Sequence, residues 1–152
     1  MKRLIYIFVA LLLVVTPGCK KNGSEATTAT KLVGQWHCIA EELNVAEDID
    51  VYVEFMADKS FNLYQKIGQG RHRHFTGTWS VSGDVLSGLY ADGTEWGSSY
   101  TLSFDGDTMT LTANNESAET IIYTKTAIPA EVKDEAIEPL GTETRAEVER
   151  WF

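Results

Sequence analysis

From Leu32 onward, apolar side chains recur at every second position. That is the period of a strand with one buried face and one wet face. Trp36, Cys38 and Ala40 share a face in residues 35–40, and Val51, Val53 and Phe55 do so in 51–56. Phe61, Leu63 and Ile67 follow in 60–67, then Phe75, Gly77, Trp79 and Val81 in 71–81. Leu86 and Tyr90, then Tyr100, Leu102 and Phe104, then Met109 and Leu111, then Ile121 and Tyr123 complete eight such runs, the last ending at Lys125. Ser, Thr, Asn and Glu fill the opposite faces. The pattern predicts an all-β domain of short antiparallel strands.

The connections alternate in kind. Ala57-Asp58-Lys59, Ser82-Gly83-Asp84 and Asp105-Gly106-Asp107 are tight and carry turn chemistry. The others, Glu41 to Asp50, Gly68 to Gly70, Ala91 to Gly97 and Ala113 to Glu119, are mostly longer. In a meander, alternate connections lie at opposite ends of the sheet. One end is therefore pinched by tight turns and the other ringed by loops. Eight such strands cannot stay flat with raw edges, and closing the sheet removes the edges. The expected architecture is an eight-stranded antiparallel up-and-down barrel over residues 32–126, with room inside for side chains or one small ligand.

The flanks differ in character. Lys2 and Arg3, the apolar run Leu4 to Val15, and Thr16-Pro17-Gly18 have the three-part layout of a secretory signal over residues 1–18. The run is too short to span a membrane as a helix. Gly18-Cys19 resembles a bacterial lipobox, although Thr16 stands where Leu is usual. The resemblance implies cleavage before Cys19, lipidation of that thiol and a membrane anchor; a plain secretory signal is the alternative. The small polar residues that follow make 19–31 an expected flexible tether. Lys20-Lys21-Asn22 carries no retention or surface-export signal, which points to the outer membrane facing the periplasm. After Thr126 the hairpins stop, and Pro129 and Pro139 interrupt a C-terminal extension over 127–152. Thr142 is placed to cap a helix from Glu143 to Phe152, with Thr144, Val148, Trp151 and Phe152 on one face. That face either packs on the barrel or binds a partner.

Composition then narrows the chemistry. The 152 residues are 43% hydrophobic and 23% charged, a globular balance for one domain. The formal charge of −9 argues against nucleic acid as a partner. His72 and His74 share a strand face, but parity turns them outward and no third ligand accompanies them, so no metal site is assigned. His37 is outward as well, which leaves no axial haem ligand. Cys38 lacks a neighbouring base and reads as a buried small hydrophobe. No nucleophile motif, phosphate loop or carboxylate pair is evident; no enzyme activity and no cofactor are expected.

The loop-ringed end holds the candidate ligand site. Arg71 and Arg73 have inward parity there and can clamp an anion, or else stand hydrated at the rim. Tyr90, Trp96 and Tyr100 supply an aromatic wall, or simply core.

Gly34-Gln35-Trp36 opens the first strand, and Phe75-Thr76-Gly77-Thr78-Trp79-Ser80-Val81-Ser82-Gly83-Asp84-Val85-Leu86 forms a central hairpin. With the lipobox, these features resemble small bacterial lipocalin-like lipoproteins. The resemblance covers residues 32–126 and implies that Trp36 plugs the narrow base of the barrel. The chain is shorter than a typical lipocalin and lacks its usual disulfide. The expected function is non-catalytic binding of a small hydrophobic or amphipathic molecule at the open end, in a lipid-anchored envelope protein. The alternative is a protein-interaction module, a periplasmic hydrolase inhibitor or a subunit of an envelope complex. It would act through the acidic loop Glu41 to Asp50 or the C-terminal tail.

Overall fold

The computed structural model describes residues 27–39, 48–138 and 150–152. The expected signal segment, Cys19 and most of the expected tether, most of the acidic loop and most of the helix expected from Glu143 lie outside the described residues. Eight antiparallel strands follow one another around a closed barrel. They are β1 (Gly34–Ile39), β2 (Ile49–Phe55), β3 (Ser60–Ile67), β4 (Arg73–Ser82), β5 (Val85–Tyr90), β6 (Tyr100–Asp105), β7 (Thr108–Ala113) and β8 (Thr120–Lys125). Closure is made by Trp36 opposite Lys125 and His37 opposite Thr124. The period-two faces fold as expected: Trp36, Cys38, Val51, Val53, Phe55, Phe61, Leu63, Met109, Leu111 and Tyr123 are all buried.

The tight turns gather at one end. Lys59, Gly83 and Gly106 each take positive φ there, the geometry that lets two strands meet across a short turn. Trp36 sits at this end, 1% exposed. Its Nε1 donates to the Leu32 carbonyl at 2.8 Å, its ring tilts against Phe104 at 5.9 Å, and Lys125 Nζ lies 5.3 Å from it. Gly34 enters β1 at φ 144°, and a Cβ there would meet Lys125 Cε at 3.1 Å. Glycine is therefore required where the chain turns into the barrel.

Two short helices replace simpler expectations. Residues 28–31, expected as the end of a tether, form α1 (Thr28–Leu32) together with Leu32. The Thr27 side chain caps it by accepting from Thr30 N–H at 3.3 Å. Leu32 is fully buried in the core, and Thr28 Oγ1 donates to Asp84 at 2.9 Å, so α1 is fastened over the narrow end. The turn is ordered by several contacts together, the buried Leu32, the Thr27 cap and the bonds to Asp84 and Trp36, which composition alone does not reveal. The helix beyond the barrel is α2 (Ala130–Glu135), directly after Pro129, a residue suited to a helix start. Its Val132, with Ile128, packs on Tyr52 and Tyr64 of the outer wall. Residues 150–152, the only described part of the helix expected from Glu143, are not helical.

Candidate binding site at the open end

The aromatic residues of the open end do converge. Tyr90 ends β5, Tyr100 begins β6, and the loop between them doubles back along β5. Tyr90 N–H donates to the Thr94 carbonyl at 2.8 Å, and Trp96 N–H donates to the Gly88 carbonyl at 3.1 Å. This fold-back carries the Trp96 indole over the bare backbone of Gly88; a Cβ at Gly88 would come within 2.4 Å of the ring. Asp92, in the same loop, accepts from Thr94 N–H through Oδ1 at 2.9 Å.

At the centre of this nest lies Phe152, 3% exposed. Its ring stacks on Trp96 at 4.2 Å and 20°. It meets Tyr100 edge-on at 5.7 Å and Phe61 at 6.5 Å. Tyr90 holds the backbone: its hydroxyl donates to the Phe152 carbonyl at 3.1 Å and accepts from Phe152 N–H at 3.2 Å. Trp151 N–H donates to Gln65 Oε1 at 2.8 Å, and Trp151 Nε1 donates to the Tyr123 hydroxyl at 2.5 Å. Arg150 Nη2 donates to Asp92 Oδ2 at 2.6 Å. Its guanidinium lies over the Tyr90 ring at 4.6 Å and 5.7 Å from Phe75, within range of a cation–π attraction. The chain's own Arg150–Phe152 segment thus occupies the mouth that the sequence offers to a ligand.

The electrostatics follow from that packing. Burial pushes the Tyr100 hydroxyl up to about 12 and Tyr123 well above its ordinary range, so both remain neutral donor–acceptors. The Arg150 guanidinium, helped by Thr94, holds the Asp92 carboxyl well below the usual carboxylate range. Trp96 Nε1 and Arg150 Nε and Nη1 are buried without hydrogen-bond partners. The segment therefore leaves polar groups unmet, a condition that costs free energy.

The two arginines are placed differently. Arg71 is exposed and lines a small cavity of about 170 Å³ with Lys66, His72, Glu131, Val132 and Glu135, between α2 and the barrel wall. Arg73 begins β4 opposite Gln65, half-buried, and its backbone bridges to Ile137. Backbone hydrogen bonds tie this stretch to the segment after α2: His74 N–H donates to the Ile137 carbonyl at 3.0 Å and Ile137 N–H to the His72 carbonyl at 2.9 Å. Arg150 supplies a cation over the Tyr90 ring of the nest. Sequence reading also passed over Gln65, which is 3% exposed. The available signal was a polar residue on the inward parity of β3, between Leu63 and Ile67.

Outward parity holds for the histidines. Asp50 accepts from or pairs with His37 at 2.7 Å and His72 at 3.1 Å, while His74 pairs with Glu138 and stacks on Tyr64. No cluster of three or more metal-ligating side chains occurs among the described residues. Cys38 is fully buried in the core.

One wall of the barrel is thin. β5 and β6 pair only through Val85–Thr101 and Leu86–Tyr100. A cavity of about 530 Å³ opens beside this seam, lined in part by Trp79, Gly88, Leu89, Trp96, Ser98 and Ser99. Trp96 therefore has Phe152 on one side and this cavity on another.

The closed meander, the plugged base and the loop-ringed mouth agree with a family comparison. The family described as lipocalin-like domain matches residues 32–125. This chain belongs to the lipocalin-like domain family. The match ends at the last residue of β8, so the Arg150–Phe152 segment lies outside the matched region. A search of curated proteins returns no match. The lipocalin-like barrel supports a binding-protein role in general, while the ligand depends on the residues at the mouth.

Proposed function

We propose that this protein is a lipid-anchored envelope protein whose barrel binds a small apolar or amphipathic molecule at the open end, without catalysis. The observation that carries the reading is the aromatic nest of Phe61, Tyr90, Trp96 and Tyr100, which already encloses a planar apolar ring, Phe152. It also offers polar handles at the Tyr90 hydroxyl and Gln65 Oε1. Concave aromatic surface with a few convergent polar groups is the usual make-up of a small-molecule site. The anchor rests on Gly18-Cys19 and the apolar run before it. The protein would then stand on the periplasmic face of the outer membrane. A tail helix offered to a protein partner is the weaker reading, because Phe152 is buried inside the mouth.

Native mass spectrometry of the full protein released from its own envelope tests this. A non-covalent small-molecule adduct on the wild type, enriched in Phe152→Ala and lost in Trp96→Ala, is expected. Bare protein for both the wild type and Phe152→Ala would refute the reading.

A further inference from the structure

The ligand class can be read from what the mouth already holds, given that the mouth is the binding site. Three features of the nest belong to the barrel rather than to the Arg150–Phe152 segment. Trp96 is laid over Gly88, presenting a flat face that stacks an aromatic ring at 4.2 Å. Tyr90 presents its ring to a guanidinium at 4.6 Å while its hydroxyl points to the peptide backbone of Phe152. Asp92 is oriented from within its own loop: Oδ1 is fixed by Thr94 N–H, which turns Oδ2 toward Arg150. An aromatic slot, a π-face and a pre-aimed carboxylate in that order fit a flat ring joined to a cationic head. The loop joining β5 to β6 carries Asp92 and Glu95 and no base, which disfavours a carboxylate ligand entering there.

We infer that the open end is a receptor for aromatic cations, molecules with a planar ring and a guanidinium or ammonium head. Arg150–Phe152 is a built-in occupant that such a ligand displaces. The occupant is held imperfectly: Arg150 Nε and Nη1 and Trp96 Nε1 are buried without partners. Release returns the Arg150 donors to water and frees Trp96 Nε1 to meet an acceptor on the ligand, which lowers the cost of exchange. Displacement also means that ligand affinity depends on how often the segment is out.

The test uses the full chain and three probes: arginyl-2-naphthylamide as the aromatic cation, 2-acetamidonaphthalene as its neutral counterpart, and dodecanoate as an apolar anion. Calorimetric titration should show the cation binding Phe152→Ala about tenfold more tightly than the wild type, since the competing occupant is weakened. Asp92→Asn in that background should weaken the cation by about threefold or more, the scale of a half-exposed ion pair, and leave the neutral probe unchanged. On the wild type, saturating cation should abolish the nuclear Overhauser contacts between Phe152 and Trp96, a readout independent of how well the variants fold. If dodecanoate or the neutral probe binds as tightly as the cation and Asp92→Asn has no effect, the aromatic-cation class is wrong and the binding reading stands. Cation binding that leaves the Phe152–Trp96 contacts intact overturns the displacement. Failure of all three probes on both proteins removes the binding reading as well.

Discussion

The arrangement of the mouth is decided at two glycines. Gly77 and Gly88 face inward on β4 and β5, where strands ordinarily place apolar side chains. A Cβ at Gly77 would lie 2.0 Å from the Leu89 carbonyl oxygen and 2.7 Å from Phe61, whereas one at Gly88 would meet the Trp96 ring at 2.4 Å and the Thr78 carbonyl oxygen less closely, at 2.9 Å. Backbone cannot yield as a side chain can. Gly77→Ala is therefore expected to cost about 3 kcal/mol, and Gly88→Ala about 1–2 kcal/mol, the range of overpacking in a dense core. Urea unfolding measures both. Gly88→Ala should also shift the tryptophan emission, because Trp96 has to leave its seat beside Phe152. A neutral Gly77→Ala would mean that the β4–β5 wall is looser than its register indicates. Both glycines were legible in the sequence only as gaps in a strand face. What each gap accommodates depends on a loop and a neighbouring strand that local periodicity does not register.

At the scale of elements, strand order, turn chemistry and closure were readable because each follows from short-range rules: period two, Gly and Asp at tight turns, and the need to remove sheet edges. A short helix in the C-terminal extension was also readable, but not its position at Ala130–Glu135, and α1 was not readable. α1 is fastened by Thr28 to Asp84, 56 residues on, and α2 by Ile128 and Val132 covering Tyr52 and Tyr64; both are tertiary contacts. The outer wall under α2 also predicts a pH response. His72 is faced by Asp50 of β2, Lys66 of β3, His37 of β1, and Glu131 and Glu135 of α2. Its desolvation outweighs the attraction of Asp50 and lowers its proton affinity below the ordinary imidazole value. A histidine depressed in the folded state binds protons more readily when unfolded. Its effect is absent above pH ~6.5 and appears as a loss of stability as pH falls below that value. The drop in unfolding midpoint between pH 7 and pH 5 should thus be smaller in His72→Gln than in the wild type. An equal drop would assign the acid response to other groups.

For the molecule as a whole, the barrel is sealed at both ends by its own flanking chain. α1 and Trp36 close the base, and Arg150–Phe152 fills the mouth. The base was foreseeable from Gly34-Gln35-Trp36. Of the mouth, the aromatic residues Tyr90, Trp96 and Tyr100 were legible, but their occupant was not. Trp151 and Phe152 carry helical spacing with Val148, and nothing in that spacing reveals a partner some 60 residues earlier in the chain, at Tyr90. Closure of the mouth therefore requires the segment to sit in the nest in solution. The most direct measurement is a nuclear Overhauser spectrum of the full chain, free of added ligand, with its aromatic side chains assigned. Strong cross-peaks from the Phe152 ring to Trp96 and Tyr100 are predicted. A Phe152 ring with solvent-like shifts and no contact to either residue would contradict the account.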